Sequence, residues 1–451
     1  MSFSSIIDKL PTASSTRQLF YGALVGIALS LTTTSVNNYF QERKQKIATG
    51  AFEPRPIELR SDEVVDGVAG LIGNTPLVRI NSLSNTLGVE VFGKAEFMNP
   101  GGSVKDRVAL RMITDAEERG LLHPHTGSRI FEGTVGSTAI IMPDDVAEEK
   151  VKALLALGAH VEHVRPASIV DKKQNLARER ARHFGSEEAQ DPAKATSTHR
   201  GHLIPTLSSS VVVTTTAEDA LADGTLTSPE EEREFEMKPR GFFADQFENR
   251  SNYYAHLDGT GPEIWRQTSG FIDAFVSGAG TGGTIAGTGQ YLKNMKEDII
   301  VALTDPEGSG LFNKVKYGVM FDRKEAEGTR RRHQVDTVVE GIGINRLTHN
   351  FELALPIVDE AFRVTDEEAV AMSRYLVHHD GLFLGSSSAC NLIACIRLVK
   401  KLGWNNGERV VTILCDSGNR HYSKFWNDDY LAKADVPVDM HLVDRILAGE
   451  A

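Results

Sequence analysis

The stretch VEVFGKAEFMNPGGSVKDRVALRMITDAEERG, residues 89–120, decides the fold. Its first part is rich in Val and Phe, which predicts a strand, and DRVALRMITDAEER (106–119) predicts an amphipathic helix that a glycine ends. A second strand-like run, FIDAFV (271–276), leads into the glycine-rich SGAGTGGT in the same way. Short β-branched runs at 299–303 and 410–414 are typical of buried parallel strands. Strands that alternate with helices predict an α/β fold.

The turn NPGGSVKDR (99–107) places a lysine at the start of the first predicted helix. Gly101 and Gly102 allow a tight turn and the close approach of a ligand, and Ser103 can cap the helix. The amine of Lys105 can form a Schiff base with a carbonyl compound, and a site that keeps part of it uncharged makes it a nucleophile and a base. The motif alone is equally compatible with an ordinary loop lysine.

The glycine-rich turn GAGTGGT (278–284) predicts an anion site, because its free backbone N–H groups and the following helix start both favour negative charge. The same residues fit the pattern GxGxxG, and Asp305 follows about 20 residues later, which is typical of a dinucleotide site. Thr281 and Thr284 add hydroxyl donors, which suit a compact terminal phosphate at least as well. This turn alone leaves both alternatives open.

Two further turns are rich in hydroxyl groups. The serines of FLGSSSACN (383–391) stand where a loop becomes a helix, where serine usually acts as a cap. EGTVGST (132–138) can offer N–H and O–H groups to a carboxylate, although alone it indicates only a turn.

The composition excludes several classes of protein. Hydrophobic residues make up 41% and charged residues 24% of the 451 residues, which is ordinary for a chain that folds mostly in water. Lys+Arg 49 against Asp+Glu 61 leaves a net charge of −12, which argues against nucleic acid as a partner. The three cysteines show no CxxC pair and favour a reducing compartment, and no metal site is predicted.

The uncharged segment LFYGALVGIALSLTTTSV (19–36) is long enough to approach a bilayer core of about 30 Å. More basic residues follow it than precede it, which favours a membrane anchor that leaves the rest of the chain in the cytosol. A buried helix and a removed targeting segment are the alternatives. Modest hydrophobicity with short basic flanks resembles the signal anchors of the mitochondrial outer membrane, so we expect that location.

We expect three parts along the chain: an anchor and linker at 1–56, a catalytic domain at 57–435 and a C-terminal tail at 436–451. The catalytic domain is expected to have lobes at about 90–185 and 241–435. Between them, residues 186–240 combine Thr/Ser runs with EEEREFE, which indicates a low-complexity surface insertion.

Taken together, the motifs resemble the fold-type II pyridoxal-phosphate enzymes of the cysteine synthase and cystathionine β-synthase family. The resemblance runs from about residue 66 to residue 425 and is specific, because long motifs recur in the expected order. The implied fold is α/β and tryptophan synthase β-like, with two open twisted-sheet lobes, here preceded by an N-terminal hydrophobic helix. The motifs are GLIGNTPLVRI (70–80), FMNPGGSVKDR (97–107), ADQFEN (244–249), GTGPEIWRQT (259–268), FVSGAGTGGTIAG (275–287), VEGIGIN (339–345) and LCDSGNRHYSKFW (414–426).

The resemblance implies a role for individual residues. Lys105 is implied to bind pyridoxal 5'-phosphate covalently and then to move the Cα proton of the substrate. Ser387 is implied to contact the pyridine nitrogen; because serine is neutral, the cofactor would be a weaker electron sink, which favours β-elimination over transamination. Gly341 is implied to lie in a loop over the ring. The residues implied to hold the phosphate are Gly280, Thr281, Gly282, Gly283 and Thr284, and those implied to bind the substrate are Thr134, Gly136, Ser137 and Thr138, of which Ser137 also contacts the cofactor.

The implied reaction is β-replacement, in which O-acetylserine and hydrogen sulfide give cysteine and acetate. A cysteine desulfhydrase and a cystathionine β-synthase-type reaction are alternatives within the family. Outside it, a NAD-dependent oxidoreductase and an inactive variant stay open. The expected partners are a small amino-acid substrate, sulfide, a membrane through residues 19–36 and a second copy of the chain in a homodimer.

The chain departs from the family pattern within the turn at 132–138 and directly after it. Val135 and Ser137 stand where the family usually has serine and asparagine, and Thr138 runs directly into AIIMPDD. The family has a helix of about four turns, roughly 16 to 18 residues, at this point. Without it a βαβ unit has too few residues to cross back. Either this layer is rearranged or a coding piece has been lost, and we favour the second.

Overall fold

Strands and helices alternate along the described part of the chain, as the sequence predicts. The computed structural model describes residues 64–132, 139–143, 146–164, 169–184, 239, 241–322 and 337–450. All of them belong to the unit Ile57–Ala451. The predicted hydrophobic helix at 19–36, the turn at 133–138 and nearly all of the expected insertion at 186–240 lie outside the described residues. Within the described ranges, no helix is long and apolar enough to cross a bilayer.

The strands are β1 (Leu77–Arg79), β2 (Glu90–Ala95), β3 (Arg129–Glu132), β4 (Ala139–Pro143), β5 (His160–Val164), β6 (Gly241–Phe243), β7 (Ala274–Gly278), β8 (Ile300–Pro306), β9 (Glu360–Val364) and β10 (Arg409–Leu414). The α-helices are α1 (Asn81–Leu87), α2 (Lys105–Glu118), α3 (Glu148–Ala156), α4 (Ile169–His183), α5 (Ser251–Ala255), α6 (Gly261–Gln267), α7 (Gly283–Met295), α8 (Leu311–Tyr317), α9 (His349–Glu352), α10 (Asp366–Asp380), α11 (Ser386–Leu402), α12 (Asp428–Lys433) and α13 (His441–Ala448). One π-helical turn, His256–Thr260, joins α5 to α6.

The larger of the two sheets described has the strand order β1-β2-β10-β7-β8-β9. Only β1 runs antiparallel to its neighbour, whereas the other pairs are parallel. Its central strands are buried along most of their length because helices cover both faces, which explains their β-branched sequences. On one face α11 packs against β7, β8 and β10, and on the other α7 packs against β7 and β8.

The smaller sheet has the order β5-β4-β3-β6, and all of its pairs are parallel. Phe131 of β3 lies opposite Ala139 of β4, so the chain leaves Glu132 and re-enters the sheet beside it at Ala139. Parallel neighbours ordinarily need a connection of about a dozen residues or more. Only the residues 133–138 separate β3 from β4 in the sequence, which is well below that length, as the sequence analysis noted.

Each sheet combines segments that are far apart in the sequence. β2 pairs with β10 in the larger sheet, whereas β6 pairs with β3 in the smaller sheet. Crossover connections allow segments that are close in sequence to enter different sheets. The segment 436–450, expected as a tail, ends in α13, whose Val443 and Ile446 are buried in the main core.

Candidate active site

A cavity of about 140 Å³ lies where the strands β7 and β10 end and the helices α2, α7 and α11 begin. Ligands of open parallel sheets commonly bind outside the carboxyl ends of the strands. The cavity brings together Lys105, the glycine-rich turn after β7, Gly341 and Ser387. Three of the four turns singled out in the sequence therefore meet at one place, although they are far apart along the chain.

Lys105 is the first residue of α2, and it presents its amine to this cavity. The N–H of Val104 donates to the carbonyl oxygen of Cys415 at 3.0 Å, which fixes the start of the helix against the end of β10. Burial lowers the pKa of the Lys105 amine, against the opposing charges of Glu132 and Asp416. Among the described residues, no carboxylate lies within 4.0 Å of it, so the amine is available for chemistry.

The turn after β7 accepts only glycine at several positions. A Cβ on Gly280 would lie 2.5 Å from the carbonyl oxygen of Gly341, and one on Gly283 would lie 2.1 Å from Asn252 Oδ1. Gly282 caps α7 with a φ of 90°, a conformation that side chains rarely adopt. The turn thus keeps its backbone exposed to the cavity at the positive end of α7, as a phosphate site requires.

The two threonines of this turn are held by residues that the sequence analysis did not single out. Asn252 Nδ2 donates to Thr281 Oγ1 at 2.8 Å, and Thr348 Oγ1 donates to the Thr281 carbonyl oxygen at 2.8 Å. The hydroxyl of Thr284 lies 3.1 Å from His256 Nε2. Burial holds the pKa of His256 well below its ordinary value, so this imidazole is neutral.

Ser387 and Gly341 lie on other walls of the cavity. Ser387 is buried in the first turn of α11, and Gly341 has a φ of 90° with open space where a Cβ would stand. Burial raises the pKa of the Cys415 thiol to about 11, so it stays protonated at neutral pH and donates to the carbonyl oxygen of Ile413 at 3.8 Å. Cys415 was quoted within a motif but given no role, because neighbouring residues in sequence do not reveal which face of a strand end meets a cavity.

The remaining residues that the sequence analysis singled out fall into two groups. Thr134, Gly136, Ser137 and Thr138 lie outside the described residues. Asp305 is fully buried and accepts a hydrogen bond from Phe312 N at 2.7 Å, at the start of α8. This carboxylate accepts a hydrogen bond from the start of α8 and does not line the cavity. It therefore cannot bind the ribose of a dinucleotide in the cavity, and the dinucleotide hypothesis fails.

The residues present fit pyridoxal phosphate. The cavity supplies an amine without a carboxylate partner, a cradle that a Cβ would fill at Gly280 or Gly283, and a buried serine hydroxyl. These groups match an aldehyde, a phosphate and a ring nitrogen, respectively.

A family model described as "Pyridoxal-phosphate dependent enzyme" matches residues 68–141 and 192–416, and the chain belongs to this family. The predicted family and cofactor are thereby confirmed. "Cysteine synthase 2" of Schizosaccharomyces pombe is 49% identical over 392 residues, which cover 83% of this chain and 87% of that protein. "Putative mitochondrial cysteine synthase" of Saccharomyces cerevisiae is 42% identical over 427 residues, with 91% and 94% covered. The prediction of a cysteine synthase-like enzyme is confirmed by these relatives.

The fold also has solved counterparts. The crystal structure of the O-acetylserine dependent cystathionine β-synthase from Helicobacter pylori superposes with a TM-score of 0.58 and 24% identity, covering 80% of this chain and 98% of that one. At this identity the likeness shows the fold alone, and it confirms the α/β architecture with two open sheets.

Proposed function

We propose that this chain is a cysteine synthase that replaces the acetate of O-acetylserine by sulfide, with Lys105 as its catalytic residue. The observation that carries the proposal is the amine of Lys105, which faces the glycine cradle across one cavity without a carboxylate partner among the described residues. Two relatives named cysteine synthase are 49% and 50% identical to this chain and cover 83% and 80% of it. Their names support the choice of substrates.

The chemistry of each cavity residue indicates which part of the cofactor it would contact. The backbone N–H groups of residues 280–284 and the hydroxyls of Thr281 and Thr284 would hold the phosphate, and Ser387 would meet the ring nitrogen. Gly341 would leave room for the ring. Pyridoxal phosphate, when bound, supplies an electron sink that makes the Cα proton of an amino acid acidic.

Lys105 moves that proton. Because burial lowers the pKa of the Lys105 amine, a larger share of it is uncharged than for an exposed lysine, so Nζ can take the proton from Cα and later return it. Acetate is a good leaving group and departs from Cβ with the bonding electrons, without needing a proton. Ser387 is a neutral partner for the ring nitrogen and thus favours chemistry at Cβ over transamination. We propose that the turn carrying Thr134, Gly136, Ser137 and Thr138 binds the substrate carboxylate.

We further propose that residues 19–36 anchor the protein in the mitochondrial outer membrane with the catalytic part in the cytosol, and that two copies form a homodimer. The name of the Saccharomyces cerevisiae relative supports the mitochondrial part. Carbonate extraction of isolated mitochondria tests the anchor: we expect the full chain in the membrane pellet and a chain that starts at residue 57 in the supernatant. Analytical ultracentrifugation of the shorter chain tests the dimer.

Borohydride reduction tests the role of Lys105. The protein loaded with pyridoxal phosphate should absorb in the near-violet, and after reduction peptide mapping should find the cofactor on Lys105. Lys105→Ala should abolish both the label at this position and cysteine formation, whereas Lys152→Ala should change neither, because Lys152 is an exposed lysine on α3. A borohydride-stable adduct at another lysine would refute the assignment. Sulfide release from cysteine, without cysteine formation, would instead favour the desulfhydrase.

A further inference from the structure

A buried histidine next to the cavity has no part in the chemistry described so far. His421 is 1% exposed, and its Nε2 lies 2.8 Å from Asp416 Oδ2. Its Nδ1 lies 3.8 Å from Glu340 Oε2, so each ring nitrogen faces a carboxylate. Asp416 and Glu340 both line the cavity. An imidazole between two carboxylates can take a proton on one side and release it on the other.

The Asp416–His421 pair is built into the fold. A Cβ on Gly385 would lie 2.0 Å from Asp416 Oδ1 and 2.6 Å from His421 Nε2, so the pair occupies the space of a missing side chain. The N–H of Gly385 donates to the Asp416 carbonyl oxygen at 3.1 Å, and Asp416 forms an isolated β-bridge with Ser103. These contacts fix the carboxylate beside the turn that carries Lys105.

The charges around the pair keep Asp416 ionised. Burial alone would raise the pKa of Asp416, but His421, Lys150 and Arg420 together lower it. Asp416 Oδ1 has no hydrogen-bond partner among the described residues, so it retains an acceptor position. The other charged or titratable groups near the pair are Glu149 and Lys150 on α3, Glu340 on the segment beside Gly341, Arg420 and Lys424 on its own segment, and Lys105 and Cys415 on the cavity wall.

The proposed reaction requires a proton acceptor besides Lys105. At Cβ the C–O bond breaks, acetate leaves as an anion with the electron pair, and a C–S bond forms. Lys105 returns to Cα the proton that it removed, so its proton count is unchanged. Hydrogen sulfide that enters as H₂S must lose one proton, and the net reaction releases that proton.

We propose that Asp416 accepts this proton from the sulfur nucleophile and passes it to His421. This inference rests on the proposed function, because it concerns the second half of that reaction. Asp416, which lines the cavity, is the catalytic residue, and His421 is a positioning residue that acts through it. Glu340 faces the other ring nitrogen and pairs with Lys150 and Lys424, so it is placed to receive the proton from His421.

Comparing two nucleophiles, hydrogen sulfide and azide, shows whether Asp416 and His421 transfer a proton or only support the structure. Hydrogen sulfide carries protons at acidic pH, whereas azide is an anion without a proton and needs no acceptor. We expect His421→Gln, whose amide can still donate to Asp416, to lower kcat/KM for sulfide about 100-fold on the acid side of the sulfide ionisation. The loss should shrink as pH rises and HS⁻ replaces H₂S, and the rate with azide should stay at the wild-type value. Asp416→Asn, which removes the acceptor itself, should lower kcat/KM for sulfide at least as much.

The matched control is His441→Gln, because His441 also faces a carboxylate, Asp444 at 3.3 Å, but lies exposed on α13. It should leave both rates unchanged. In all variants, O-acetylserine added without a nucleophile should still change the cofactor absorbance, which shows an intact fold and first half-reaction. Equal losses with sulfide and azide, or no loss at acidic pH, would overturn the proposal. If the wild type consumes O-acetylserine with azide but not with sulfide, the proposed function fails instead.

Discussion

Asp305 offers a quantitative test of the structure because burial sets its ionisation. It is fully buried at the end of β8, and burial raises its pKa from 3.8 to about 7, because the hydrogen bonds from Ser309 and Phe312 and the charge of Arg363 oppose burial only in part. The folded chain therefore holds this proton more tightly than the unfolded chain. By linkage, the free energy of unfolding must fall as pH rises from about 4 to about 7.

The size of this decrease in the free energy of unfolding follows from the pKa shift of Asp305. A difference of about 3 pH units at about 1.4 kcal/mol per unit amounts to about 4 kcal/mol lost between these limits. Asp305→Asn removes the ionisation, while its side-chain oxygen can still accept from Phe312 N. The variant should match the wild type near pH 4 and exceed its stability by about 4 kcal/mol at pH 8.

Urea unfolding followed by tryptophan fluorescence at pH 5, 6, 7 and 8 measures this difference. Asp429→Asn is the matched control, since Asp429 is exposed on α12, and its stability curve should follow that of the wild type. A constant difference between Asp305→Asn and the wild type at all four pH values would refute the reasoning. Because Asp305 does not line the cavity, the variant should also retain its cysteine synthase activity.

Three further predictions concern the cradle, the core and the short connection. Gly280→Ala, whose Cβ would lie 2.5 Å from the Gly341 carbonyl oxygen, should weaken the binding of pyridoxal phosphate at least about tenfold, as measured by fluorescence titration; unchanged affinity would refute the cradle. Glu263→Gln should destabilise the fold by about 3 kcal/mol or more, since it leaves the buried Lys94 and Arg107 without their shared carboxylate; a change in urea midpoint near zero would contradict this. The intact mass of the native gene product should exceed that of this chain by roughly 16 to 18 residues if a coding piece is missing near Thr138, and equal masses would mean that the layer is rearranged.

The sequence predicts the chemistry of the site better than the partition of the fold. Glycines and hydroxyl residues at strand-to-helix turns have a local physical reason that the sequence shows. Lys105, the turn at 278–284 and Ser387 can therefore be recognised from the sequence, and the structure brings them to one cavity. Whether β2 joins the larger or the smaller sheet depends on pairing with β10, far away in the chain. No local pattern contains that information.

The same limit explains which site residues the sequence analysis missed. Asn252 and His256 lie on α5 and the π-helical turn and act by packing against the turn after β7. His421 belongs to the motif at 414–426, but its proposed role depends on Asp416 and Glu340, which face its two ring nitrogens. Side chains whose role is to hold or face another side chain become visible only once the fold places both.

Cys415, the residue directly after β10, is hydrogen-bonded to the segments at the starts of α2 and α11. The carbonyl oxygen of Cys415 accepts from Val104 N at 3.0 Å, beside Lys105, while Cys415 N donates to Ser388 Oγ at 2.8 Å, beside Ser387. One residue thus ties the start of α2, which carries Lys105, to the start of α11, which carries Ser387. Because these bonds lie between the larger sheet and the starts of α2 and α11, they do not involve the connection between β3 and β4. A defect in that connection should therefore impair binding of the amino-acid substrate before it impairs capture of the cofactor by Lys105.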